Sequence, residues 1–71
     1  MITFEPTGIN NTHAATVEAD YTPQNWAAWQ PVAQHFRMEM FHDDGKLIAV
    51  GSGYTDENKS ELQKLHDTKL N

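Results

Sequence analysis

A chain of 71 residues with ten acidic and five basic side chains, a formal charge of −5 and no cysteine has room for one compact unit and excludes disulfides and thiolate metal sites. A domain this small buries only about 60% of the surface its extended chain exposes, so its core is limited. Its 38% hydrophobic content, with two tryptophans, two tyrosines and three phenylalanines, is enough to fold and excludes disorder throughout.

In chain order, Ile2-Thr3-Phe4-Glu5 alternates apolar and polar residues until Pro6 and Gly8 interrupt it, which predicts a short strand and a turn. Gly8-Ile9-Asn10-Asn11-Thr12 has hairpin-loop composition. A longer alternation follows, with Ala15, Val17, Ala19 and Tyr21 on one side and Ala14, Thr16, Glu18 and Asp20 on the other. That pattern predicts a half-buried strand with an acidic outer face.

Thr22-Pro23 signals a helix start, because threonine caps free amides and proline at the first helical position loses no hydrogen bond. Trp26, Trp29 and Ala33 share a face of that helix. Pro31 biases Gln30 away from helical angles, so the expected end is near Gln30, with an irregular or helical turn through His35. Period two returns at Phe36, with Phe36, Met38 and Met40 opposite Arg37, Glu39 and Phe41. Asp43-Asp44-Gly45 then supplies tight-turn chemistry, and a partner strand is expected from Lys46 to about Tyr54. In that strand Ile48, Val50 and Tyr54 are expected to share a face, with Gly51 and Gly53 weakening it or marking a bulge.

Thr55-Asp56-Glu57 opens a last helix with a cap and acidic first turn, while Leu62, Leu65 and Leu70 form its thin apolar stripe. Few contacts hold that helix, so its final residues are expected to fray. The order β-β-α-β-β-α points to a single α+β domain over residues 1–71, a four-stranded antiparallel sheet packed against two helices. The part from Phe36 through Asp43-Asp44-Gly45-Lys46 to Gly53-Tyr54-Thr55 and the helix resembles YegP-like bacterial domains of unknown function. Those also run strand, Asn/Asp-Gly turn, strand ending in an aromatic residue, and capped helix; the resemblance implies no activity.

Residue types that carry chemistry are weakly arranged. His13, His35, His42 and His66 include no pair at the i, i+4 spacing of a zinc-binding helix, and the acids in His42-Asp43-Asp44 suit a turn. Ser52 and Ser60 lie in no nucleophile-elbow context, and Gly51-Ser52-Gly53 lacks the lysine of a phosphate loop. No catalytic residue, metal or cofactor is therefore expected, and a metal-dependent or hydrolytic enzyme ranks third among the functions. Trp26 and Trp29 lack the interleaved basic residues that single-strand nucleic-acid binders use.

Residues 1–36 carry Glu5, Glu18 and Asp20 and neither lysine nor arginine, a field that repels phosphate backbones and anionic lipids and suits a basic protein surface. The start Met1-Ile2-Thr3-Phe4-Glu5-Pro6 lacks secretory-signal character, and no run approaches the ~20 apolar residues that span a bilayer. The expectation is a small acidic cytoplasmic module that binds another protein, with no direct nucleic-acid or membrane contact. Its candidate contact residues are Glu5, Glu18, Asp20, Trp26 and Trp29. Small inhibitors encoded by phages and mobile elements share this size and charge and cover basic, nucleic-acid-reading surfaces of host proteins. The alternative is a structural protein that forms homo-oligomers through an exposed strand edge or tryptophan.

Overall fold

The computed structural model describes residues 1–70. Six elements follow one another in the expected order: β1 (Ile2–Pro6), β2 (His13–Asp20), α1 (Pro23–Phe36), β3 (Glu39–Asp43), β4 (Lys46–Tyr54) and α2 (Asp56–Lys69). The four strands form one antiparallel sheet in the order β1-β2-β4-β3. The hairpins therefore meet through β2 and β4, leaving β1 and β3 as edges.

One face of the sheet carries the core. Ala15, Val17 and Ala19 of β2 and Leu47 and Ala49 of β4 are buried with Trp29, Val32, Ala33 and Phe36 of α1 and Leu62 of α2. Ile2 and Phe4 of β1 and Met40 of β3 extend this layer toward the two edges, and the Lys59 ammonium lies 5.5 Å from the Phe4 ring centre. Of the last residues, expected to fray, Leu70 is 6% exposed and packs into the core, while Asn71 lies outside the described residues.

Helix α1 begins as its sequence signals, with the Asn25 amide donating to Thr22 Oγ1 at 3.0 Å. It does not end at Gln30. It passes through Pro31 to Phe36 and closes on Arg37 in the left-handed conformation, φ 57°, with the Met38 amide donating to Ala33 O at 2.8 Å. Proline removes one backbone hydrogen bond and costs about 3 kcal/mol inside a helix. Here Ala27, four residues earlier, and Pro31 itself are exposed, so the carbonyl left without its helical donor lies on the outer side of the helix. The apolar stripe of Trp29, Val32, Ala33 and Phe36 continues past it on the buried side, and each large side chain buried contributes about 1.5–3 kcal/mol. Consequently Phe36 belongs to the helix, and β3 starts only at Glu39.

The β3-β4 hairpin turns through Asp44 at φ 53° and Gly45 at φ 76°, the pair of positive angles of a two-residue type I′ turn. Gly45→Val is expected to destabilise the domain by about 1–3 kcal/mol, because a β-branched residue resists that angle. An unchanged urea midpoint would contradict the turn geometry.

β4 contains the bulge that its glycines suggest. His13 pairs with Tyr54 and Ala15 with Gly51, so three steps along β4 oppose two along β2. The extra residue reverses the alternation, which corrects the expected grouping of Ile48, Val50 and Tyr54. Tyr54 joins Leu47 and Ala49 in the core, whereas Ile48 and Val50 lie on the opposite side of the sheet, half-buried. The Tyr54 hydroxyl donates to Phe36 O at 2.6 Å, and its ring meets Phe36 edge-on at 6.0 Å. This ties the bulged strand to the C-terminal end of α1. A Cβ at Gly51 would overlap that hydroxyl.

Candidate functional site: the uncovered face of the sheet

Since both helices pack on one face, the other is open, and the register states which residues meet there. One row runs Thr3, Thr16, Val50 and Glu39; the next runs Glu18, Ile48 and Phe41; the third runs Asp20, Lys46 and Asp43. Glu5 stands at the β1 corner opposite Ala14. Phe41 is 44% exposed, and with half-buried Ile48 and Val50 on the neighbouring strand it makes an apolar patch with Glu18 on one side and Glu39 and Asp43 along its own strand.

Charge is concentrated on this face. Five of the chain's ten acidic residues (Glu5, Glu18, Asp20, Glu39 and Asp43) and one of its five basic residues (Lys46) lie here, which accounts for four of the five units of net negative charge. Lys46 Nζ donates to Asp20 Oδ1 at 3.0 Å, and this hydrogen bond, reinforced by the charge of Asp20, holds the lysine above its ordinary pKa. The N-terminal ammonium is spent on Glu18 O at 2.6 Å. Glu18 and Glu39 have no salt-bridge partner among the described residues.

The structure thus places Glu5, Glu18 and Asp20 on one face of the sheet, Glu18 and Asp20 as neighbours on β2 and Glu5 at the far corner. It separates them from the tryptophans. Trp29 is 0% exposed and sits in the core, so it cannot serve as a contact residue; its indole fills space between α1 and the sheet. Trp26 is half-buried against the core on the helix side, edge-on to Tyr21 at 5.8 Å, and Tyr21 in turn stacks on His42 at 4.0 Å. Two further acids, Glu39 and Asp43, and the apolar trio Phe41, Ile48 and Val50 belong to the face and were not among the expected residues. The alternation from Phe36 already separated Glu39 and Phe41 from Met38 and Met40. What it lacked was the β2-β4 pairing that sets Glu39 in one row with Thr16 and Phe41 in one row with Glu18.

The remaining polar groups do not converge. Among the described residues no group of three or more His, Asp or Glu side chains is placed to hold a metal ion. Strand alternation turns His42 toward the helices and Asp43 toward the open face. His13 Nδ1 lies 3.3 Å from Tyr54 O and 3.9 Å from Asp56 Oδ1, beside the β1-β2 loop. Gly51-Ser52-Gly53 forms the bulge. No helix among the described residues is long and apolar enough to cross a membrane. Comparison of the chain with protein-family models, with curated proteins and with solved structures finds no match in any of the three.

Proposed function

We propose that this chain is an intracellular binding module that docks its open sheet face onto a basic surface of another protein. The observation that carries the reading is that a face no helix covers bears four of the five net negative charges together with an exposed aromatic, Phe41. Aromatic side chains surrounded by polar groups are the usual anchors of interfaces, and a single-sign rim speeds encounter with a partner of opposite sign. In its narrower form the reading is inhibition: a small acidic protein of this kind occupies a basic, nucleic-acid-reading surface and keeps nucleic acid off it. A second copy is a poor occupant of the same face, since both faces carry the same sign.

Capture from a lysate of the source cell tests this. The expected result is one basic protein retained at low salt, released by high salt, and lost with Glu18→Lys/Glu39→Lys. Those changes leave Asp20 and Lys46 themselves in place and, at exposed positions, are expected to alter stability by less than about 1 kcal/mol. Retention of the same protein by the double variant at low salt would contradict the proposal.

A further inference from the structure

The composition of the face narrows the partner's chemistry. A surface made only to meet a flat field of positive charge would need carboxylates alone. Here carboxylates flank Phe41, Ile48 and Val50, the last two on the inner strand β4. Glu18 stands on β2 to one side of β4, and Glu39 on β3 to the other. Neighbouring strands lie about 4.8 Å apart, so the two carboxylate columns are separated by about 10 Å across the apolar strip. An α-helix is about 10–12 Å wide with its side chains. The third row is already partly neutralised by Lys46 between Asp20 and Asp43, which leaves the unpaired charge at the Glu18 and Glu39 end.

Resting on the docking role above, we infer that the element received by this face is a cationic amphipathic helix of the partner. Its apolar stripe lies on Ile48 and Val50 of β4 and on Phe41 of β3 beside them, and its lysine or arginine residues flank that stripe to reach Glu18 and Glu39. The packing logic is that of the opposite face, where α1 lays its apolar stripe on Leu47 and Ala49. A helix on the open side completes a helix-sheet-helix sandwich. Helices recognised in this way present apolar residues at i, i+3, i+4 and i+7. Complementary charge on both flanks fixes the orientation.

The probe is a fluorescein-labelled peptide of about 15 residues, about 22 Å when helical, with leucines at those positions and lysines on both flanks. It is compared with a scrambled peptide of the same composition and with the same helix carrying glutamates for lysines. Fluorescence anisotropy at low salt is expected to show the amphipathic lysine helix binding at least about tenfold more tightly than the scrambled peptide, with no binding of the glutamate helix. Phe41→Ala and Glu18→Gln/Glu39→Gln are each expected to weaken binding about tenfold or more, with folding of both variants checked by circular dichroism. Equal binding of helix and scrambled peptide, lost in the glutamine variant, would overturn the helix inference and leave the basic-surface reading standing. Cationic binding indifferent to the glutamine variant would overturn both. No binding of any peptide, or self-association of the chain through Phe41 seen in sedimentation, would overturn the inference, while lysate capture still decides the broader reading.

Discussion

Gly51→Ala is expected to lower the stability of this domain by about 2–4 kcal/mol, a large share of what a chain of this size possesses. The substitution adds one methyl group, yet that methyl would overlap the Tyr54 hydroxyl and crowd its ring. Tyr54 has no free direction in which to retreat, since it is buried, its ring meets Phe36, and its hydroxyl donates to Phe36 O at 2.6 Å. The change therefore adds overpacking to the loss of a buried hydrogen bond. Tyr54→Phe isolates the second contribution and should cost about 1–3 kcal/mol.

Its pH dependence provides a further check. Burial raises the Tyr54 phenol above its ordinary value of 10.0, so the folded state holds this proton more tightly than the unfolded chain. The stability it contributes is full below the unfolded value and disappears as pH rises through the folded one. Alkaline titration should unfold the wild type with a steeper loss than Tyr54→Phe. If Gly51→Ala unfolds at the same urea concentration as the wild type, the bulge and the Tyr54 placement are wrong.

Trp29→Ala is expected to be more damaging still, by about 3–5 kcal/mol, the range for truncating a large buried aromatic. Trp29 is 0% exposed at the centre of the core. Its Nε1 has no hydrogen-bond partner, which makes the indole a packing element held by shape and apolar burial. Trp29→Phe should accordingly cost much less, because the smaller ring keeps part of the volume and removes a donor whose burial is unfavourable. Trp26→Ala, at a half-buried position, should cost less than Trp29→Ala. Thermal melts of the three variants check this order; a wild-type midpoint for Trp29→Ala would return the residue to the surface.

How much of this architecture could be read from the residues depends on the range of the interactions involved. Asp44-Gly45, Thr22-Pro23 and Thr55 act within a few residues, and the turn and both helix starts stand where those signals put them. The end of α1 was not legible, because the local penalty of Pro31 is outweighed by burial of Val32, Ala33 and Phe36 against strands distant in sequence. The side chosen by Tyr54 was hidden for a similar reason. A bulge shifts the alternation by one, and only the pairing of His13 with Tyr54 and Ala15 with Gly51 reveals it.

The open face divides along the same line. Alternation alone placed Glu18 and Asp20 outward. Adding Glu39, Phe41 and Asp43 to them required the strand order, in which β4 stands between β2 and β3. Trp29 and Trp26 entered the candidate set as aromatics at helical spacing, a pattern that core and contact residues share.

The measurement that bears most directly on the proposed docking role is a heteronuclear NMR map of the isotope-labelled chain with and without a basic protein retained in the capture experiment. The largest shifts are expected at Glu18, Glu39, Phe41, Ile48 and Val50, with α1 and α2 little changed. Perturbations centred on the helices or on Tyr21, Trp26 and His42, with Phe41 and its neighbours silent, would contradict that role.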